Sequence, residues 1–437
     1  MTKRVLYSTI VLLLAVHPAL AEDWPQWMGP NRDSVWRETG IVETLPDRIT
    51  AKWRVPIEWG YSGPAVAEGK VFVMDYVKAS GKITNNAGRR DELTGKERVL
   101  CMDAETGNLL WKHEYDRPYS LSFPGGPRCT PAVDGDFVFT LGAEGDLCCL
   151  TADEGKVVWS KSFAKDFGSK TPPWGHSAHP LVDGDRLFCV VGGEGSVAVA
   201  FDKKTGRELW RAMTAPEPGY CPPSMIEHAG VKQLIVWHPL SVNGINPETG
   251  DVYWSIPLAP SYRMSIAAPR KHGDLLYACA MKVKAAMIKL DSTKPAAEEV
   301  WRGGIREAVY AANTTPFLEN GMIYGVDCDT GSLIGARIED GKRMWESFKP
   351  TSSQPRPRHA TAFLVKHEDR FFIVSETGDL IIAKLSPEGY EEISRQKLLE
   401  PTNTCFGRKV VWSHPAFAQK CIFARNDEEM ICVSLAE

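Results

Sequence analysis

Asp103-Ala104-Glu105-Thr106-Gly107, with Trp111 four residues beyond its glycine, is the stretch on which the reading of this chain turns. It returns as Asp202-Lys203-Lys204-Thr205-Gly206 before Trp210 and as Asn246-Pro247-Glu248-Thr249-Gly250 before Trp254. Gly155 with Trp159 and Gly341 with Trp345 keep the same offset, and Trp301 continues the series without its glycine. The ladder Trp111, Trp159, Trp210, Trp254, Trp301, Trp345 advances by 48, 51, 44, 47 and 44 residues. That is the period of a propeller blade, too long for a helical repeat of ~34 residues. One further step falls on Ile393, four after Gly389, where the tryptophan is lost, and Trp53 begins the series.

Within each period the residues alternate between apolar runs and glycine-bearing turns. Thr130-Pro131-Ala132-Val133-Asp134-Gly135-Asp136-Phe137-Val138-Phe139 shows the first half well. Val, Phe, Leu and Ile suit half-buried strands, and glycine supplies the positive φ of tight hairpins. The expected fold is therefore all-β: an eight-bladed propeller of four-stranded antiparallel sheets, an arrangement that leaves only short, protected edges. Seven blades are expected over 61–115, 129–162, 177–212, 221–258, 264–302, 311–348 and 358–398. The eighth combines Pro415 to Leu435 with an early strand around Lys52-Trp53-Arg54-Val55, so the two ends of the chain close the ring and deleting either is expected to destabilise the whole.

The 437 residues carry 51 Lys and Arg against 55 Asp and Glu, a net charge of −4, which offers no electrostatic footprint for nucleic acid. With 43% hydrophobic and 24% charged residues the chain has the composition of a globular protein rather than a disordered one. Residues 1–21 read as a secretory signal: Lys3 and Arg4, a short apolar run, then Ala19-Leu20-Ala21, with the cut expected before Glu22. That run falls short of the ~20 residues a membrane span needs. The expected protein is periplasmic or secreted, without an integral span after cleavage, without a lipid-anchoring cysteine at the cut, and monomeric. Domain limits follow as signal 1–21, N-terminal strap 22–48 and propeller 49–437. Eleven cysteines, an odd number with no CxxC spacing, read mainly as compact core residues.

The Asp-x-x-Thr-Gly-x-x-x-Trp units resemble the quinoprotein, or PQQ-like, β-propeller repeat, over about residues 50–437. The resemblance implies that Trp53, Trp111, Trp159, Trp210, Trp254, Trp301 and Trp345 dock between neighbouring blades. It points two ways on function, because the same repeat builds PQQ-dependent alcohol dehydrogenases and BamB, an exported, non-catalytic scaffold of outer-membrane assembly. The segment Asp23 to Asp33, with Trp24 and Trp27, resembles the opening strap of exported members, and its expected role is packing against the propeller side.

The family topology implies that one face, the top, gathers the loops between blades and those joining second and third strands. Three residues before each inner-strand proline, or the equivalent small residue, stand Tyr61, Arg128, Ser177, Tyr220, Met264, Asn313, His359 and Trp412, expected to ring the channel mouth. Arg263, Arg356, Arg358, His176 and His414 add donors and positive charge nearby. The candidate ligand-binding set is thus Tyr61, Arg128, His176, Tyr220, Arg263, Arg358, His359 and Trp412, against the plain alternative of a water-filled polar channel. No catalytic residue and no metal ligand is assigned. A quinone enzyme would require a calcium held by carboxylate and amide oxygens, a base, and commonly a vicinal disulfide. Cys148-Cys149 falls instead at a repeated strand position, since Cys149 precedes Trp159 by the same ten residues that separate Cys101 from Trp111. His176-Ser177-Ala178-His179 has metal-ligating side chains but no third partner nearby, and Gly192-Gly193-Glu194-Gly195 is followed by no helix that would make it a phosphate cradle. Residues 78–98, polar and charged, interrupt the first blade and are expected to cap the channel or contact a partner, or else to be solvated and disordered.

The reading is an exported, non-catalytic scaffold presenting its top face to a protein or small ligand, with no cofactor expected. The alternative is a dehydrogenase acting on an alcohol or sugar, for which PQQ and calcium would be the cofactors. A carbohydrate-binding module is a third class.

Overall fold

The computed structural model describes residues 22–351 and 357–437. The signal segment and Arg356 lie outside them. Eight antiparallel blades follow one another in chain order, each with four strands running from inner to outer; the first gains a fifth strand, and Asn403–Cys405 with Arg408–Val410 forms a separate small hairpin. The third is representative: Leu181–Asp183, Arg186–Val190, Ala198–Asp202 and Glu208–Ala212. The eighth joins Ala416–Ala418, Cys421–Arg425 and Glu429–Ser434 to Ala51–Pro56, with Trp53 opposite Cys432. The early strand is therefore the outermost strand of the closing blade.

The repeat has a direct physical cause. Each of these tryptophans sits on an outer strand, and six of the seven donate their indole N–H to a backbone carbonyl of the following blade. Trp53 reaches Ala104, Trp111 reaches Ala152, Trp159 reaches Lys203 and Trp210 reaches Pro247, all at 2.9 Å. Trp301 reaches Ile338 at 3.0 Å and Trp345 reaches Ser386 at 2.9 Å. In five of the six, all but Trp345, the ring then lies against the glycine of the next turn: a Cβ on Gly155, whose φ is +67°, would stand 2.4 Å from Trp111. Glycine is required there for both conformation and space. Trp254 departs from the expectation. The next blade has Asp291-Ser292-Thr293-Lys294 in place of the glycine turn, and the Trp254 indole bonds Gln233 of its own blade at 2.7 Å.

Residues 78–98 are mostly a continuation of the first blade. Strands Lys70–Ser80 and Asp91–Asp103 extend as a hairpin, pairing Lys78 with Gly95 and Ser80 with Thr94, and Asp91–Leu93 also pairs with Tyr119–Leu121. The tip folds over the top face, where Asn85 bonds Asn403 at 2.9 Å and Arg90 bonds the carbonyl of Thr171 at 2.8 Å. Of the two expectations, the cap holds, because the strand pairing supplies the order a polar loop alone would lack.

The strap corrects the sequence reading. Trp24 and Trp27 pack inside the central channel, not against the propeller side. Trp24 exchanges backbone bonds with Val66 of the first blade, and the Pro25 carbonyl accepts from Val133 of the second at 2.8 Å. The Arg32 guanidinium donates to Pro180 in the third at 2.8 Å, and Arg270 of the fifth donates to the carbonyls of Arg32 and Asp33 at 2.9 and 2.8 Å. Ser34 and Trp36 pair with Lys366 of the seventh, and both Trp24 and Trp36 lie against Phe417 of the eighth. Gly29, at φ +85° and with the Trp24 ring 3.0 Å from where a Cβ would stand, lets the segment turn back on itself in this confined space. The channel is plugged by protein.

Candidate functional site

Above the plug lies a cavity of about 670 Å³, open to the top face. Its walls come from the inter-blade connectors and from turns joining second and third strands, such as Met281-Lys282 and Cys328-Asp329. The eight positions taken from the inner-strand offset, Tyr61, Arg128, Ser177, Tyr220, Met264, Asn313, His359 and Trp412, all line it, as does Arg358. Two of the candidate residues do not. His176 is buried beneath the wall, edge-on to Phe163, and Arg263 turns outward to pair with Glu217 at 2.8 Å.

One half of the wall is aromatic: Tyr61, Phe123, Trp174, Tyr220, Phe406 and Trp412. Trp174 meets Tyr220 edge-on at 5.8 Å, and His359 stacks on Phe406 at 5.4 Å with 12° between planes. The opposite half is smaller and aliphatic, with Met264, Ile266, Met281 and Ala312. Among the described residues the buried hydroxyls of Tyr61 and Tyr220 have no hydrogen-bond partner. Burial raises both phenols, so they stay neutral donors.

Arg128 holds the wall together. Its guanidinium donates to the carbonyls of Trp174 at 2.9 Å, Phe123 at 2.6 Å, Ser122 at 3.3 Å and Gly126, so two inter-blade connectors hang from one side chain. It also lies over the Tyr61 ring at 5.1 Å. Trp412 is fixed likewise, its indole donating at 3.2 Å to the buried Glu376 carboxylate that Arg408 also grips at 2.9 and 3.0 Å.

The floor is Trp27 with two imidazoles. His179 stacks on Trp27 at 4.9 Å and His414 meets it edge-on, accepting the indole N–H at Nε2 at 3.3 Å. His179 Nδ1 accepts the amide of Thr130 at 2.9 Å, which leaves the proton of the neutral ring on Nε2. Burial drives His179 well below the usual range, with His414 and Arg32 adding repulsion, and lowers His414 to about 3. His176 and His179 therefore serve different places, one behind the wall and one on the floor, and cannot share an ion.

A family model described as outer membrane protein assembly factor BamB matches residues 95–296 and 285–437. The chain belongs to this family. The fold of BamB from Moraxella catarrhalis superposes with a TM-score of 0.58 at 13% identity, covering 88% of this chain and 97% of that one. Quinohemoprotein alcohol dehydrogenase from Comamonas testosteroni gives 0.58 at 12% identity, covering 95% and 80%. Among curated relatives, quinoprotein alcohol dehydrogenase PedH of Pseudomonas putida is 33% identical over 132 residues, 28% of this chain and 21% of PedH. Quinohemoprotein alcohol dehydrogenase ADH-IIG of Pseudomonas putida is 25% identical over 240 residues, 49% of this chain and 31% of its own length. The chain thus spans a fifth to a third of these two relatives.

Both BamB and the quinoprotein dehydrogenases share this wheel, so the residues at its mouth must separate them. Asp329 is the sole carboxylate on the described cavity lining. It already accepts the Lys282 amide at 2.8 Å and faces the Lys282 ammonium at 3.9 Å. Cys148 and Cys149 are consecutive strand residues entering different cores, the first with Phe72 and Val138, the second with Phe139 and Cys189. Calcium takes six to eight oxygen ligands, carboxylates among them, and the one carboxylate of the described lining is already engaged by Lys282. The donor set here does not fit calcium-bound PQQ.

Sequence reasoning missed Trp27, Phe123, Trp174, His179 and Phe406. Phe123 and Trp174 did leave a signal, as aromatics beside Pro124-Gly125-Gly126-Pro127 and Pro172-Pro173 in connectors already assigned to the mouth. Trp27 left none, because nothing local says that a strap enters the channel.

Proposed function

We propose that this chain is an exported, non-catalytic scaffold of the BamB kind whose channel-mouth cavity receives an apolar segment of a partner protein. The observation that carries the reading is the cavity itself: blind below, walled by aromatics on one side and methionines on the other, and without a constellation of carboxylates for catalysis. Aromatic side chains offer wide contact area at low entropic cost, and methionines adapt to the shape they meet. Arg358 and Lys282 at the rim, together with Arg89 and Arg90 on the capping hairpin, favour a segment with acidic flanks. A wall braced by Arg128 and Arg408 is ordered before the partner arrives, so little ordering entropy is lost on binding. Residues 1–21, read as a secretory signal, and membership of the BamB family support a periplasmic setting, and no helix among the described residues is long and apolar enough to cross a membrane.

The test is to replace Trp174 with Ala and Met264 with Arg, one on each wall, and to measure capture of periplasmic partners by the exported protein against unchanged melting temperature. Partners retained by the native chain and lost from both variants support the reading. Equal retention by both removes the cavity from it.

A further inference from the structure

The plug is a loop whose two ends meet beneath the channel. The Glu22 amide donates to Glu38 Oε1 at 3.1 Å, the Arg37 amide donates to Glu22 Oε2 at 2.8 Å, and the Gln419 amide reaches the Glu22 carbonyl at 3.3 Å. Glu38 is only 7% exposed. Its other oxygen accepts the Trp36 indole at 2.8 Å and the Lys420 amide at 2.8 Å. All three donors are uncharged, and among the described residues Glu38 takes part in no ion pair. A carboxylate buried with neutral donors alone is costly, and a cation beside it relieves that cost.

Glu22 is also the residue that follows Ala19-Leu20-Ala21, the small-residue pattern of a leader cleavage site. Hydrolysis of the Ala21–Glu22 bond by a leader endoprotease adds one water: the carboxylate stays on Ala21, and the amine stays on Glu22. An α-amine of ordinary pKa, about 7.7–8.0, takes a proton at neutral pH. The nitrogen already on Glu38 would then be an ammonium, and a neutral hydrogen bond becomes a charge-assisted one. Position matters, since the Glu22 nitrogen is the one on Glu38 and one residue of extended chain displaces a nitrogen by about 3.3 Å.

From this juxtaposition of a buried, cation-free carboxylate with the first residue after the cleavage pattern, we propose that leader removal before Glu22 locks the channel plug by pairing the new α-ammonium with Glu38. Processing is thereby linked to the stability of the cavity floor, and the inference stands whether or not the cavity binds a partner segment. Charged groups around the new terminus are the Glu22 carboxylate, Arg37 (paired with Asp33), Asp23 on the Glu68 amide, and Lys420, whose ammonium lies beside Gly40. Glu38 raises the pKa of the amine in the folded state. The stabilisation is therefore complete below about pH 8, the unfolded value, and is lost as pH rises through the folded one.

The experiment compares three full-length mature chains: one beginning at Glu22, one with its α-amine acetylated, and one preceded by Gly-Ser, each with and without Glu38→Gln. Intact mass of the exported protein should place its first residue at Glu22. At pH 7 the free-amine chain should melt higher than both blocked chains by roughly 1–3 °C. The gap should close by pH 10 and vanish in the Glu38→Gln background. An exported chain beginning elsewhere, equal melting at pH 7, or a gap that persists at pH 10 would overturn the proposal, the last because it marks a steric cost of added atoms.

Discussion

Trp27 of the N-terminal strap and His179 of the third blade stack face to face, their ring centroids 4.9 Å apart and their planes 9° from parallel. This pair joins a segment from the start of the chain to the wheel it enters, and divides the channel into a plugged shaft below and a cavity above. The Arg32 guanidinium lies over the same indole at 5.2 Å while bonding the His179 carbonyl at 3.3 Å, so the floor is held from both sides.

Removing the indole should therefore cost more than its own contacts. Trp27→Ala should lower stability by about 3–5 kcal/mol, the usual range for a large aromatic taken from a core. Trp27→Phe, which keeps a ring on His179 but leaves His414 Nε2 without its donor, should cost less. Denaturant unfolding of the two variants checks the order.

The blade repeat makes a paired prediction about glycine. Gly155→Ala would drive a methyl to 2.4 Å from the Trp111 ring, whereas Gly273→Ala, also at positive φ (+60°), meets nothing within 4 Å. Both carry the left-handed backbone cost of about 1–2 kcal/mol. Only Gly155→Ala adds a displaced tryptophan and a strained Trp111–Ala152 bond, and its melting temperature should fall well below that of Gly273→Ala.

Acid should destabilise the wheel through its buried imidazoles. Burial lowers His176 and His414 to about 3 and His359 to about 4, and drives His179 well down. The unfolded chain binds these protons from about pH 6.5 downward, and the folded one refuses them. Asp146 and Asp427, raised by burial to about 6, act in the opposite sense: folded, they hold protons that the unfolded chain releases above about pH 4. His113 and His238 are also lowered by burial, so the imidazoles outnumber the two carboxyls and unfolding near pH 5 takes up protons on balance. Stability should therefore fall as the pH drops through this range. Melting curves from pH 7 to 4.5 check the sign, and a midpoint that rises on acidification would contradict it.

The quinoprotein alternative predicts turnover, and the scaffold proposal predicts none. Mature protein mixed with PQQ and calcium should show neither bound-quinone absorbance nor dye reduction with a panel of alcohols, because the lining offers Asp329 alone as a carboxylate and Lys282 already holds it.

Much of this was legible in the sequence because the repeat is local. A glycine four residues before a tryptophan records one inter-blade contact, and the recurrence counts blades; the early strand at Trp53 could be placed in the closing sheet on that ground. The mouth positions were legible for the same reason, at a fixed offset before each inner-strand proline or its small-residue equivalent. Residues outside the repeat were not. Trp27 reaches His414 across nearly the whole chain, and no pattern near residue 27 records such a partner. Arg128 looked like a free cation at the rim, but its donors are taken up by carbonyls of connectors whose path only the fold defines. Trp254 kept the expected spacing yet bonds Gln233, because its docking site belongs to the next blade, where the glycine turn is missing.

The claim at the centre of this account is that the cavity, rather than the outer wall of the wheel, receives the partner. A photo-crosslinking side chain placed at Tyr220, on the cavity wall, and separately at Val252, exposed on an outer strand, tests it in the exporting cell. Covalent adducts with a partner at residue 220, absent at residue 252 and lost when Trp174→Ala is added, are the predicted result. Adducts at both positions alike, or at residue 252 alone, would contradict it.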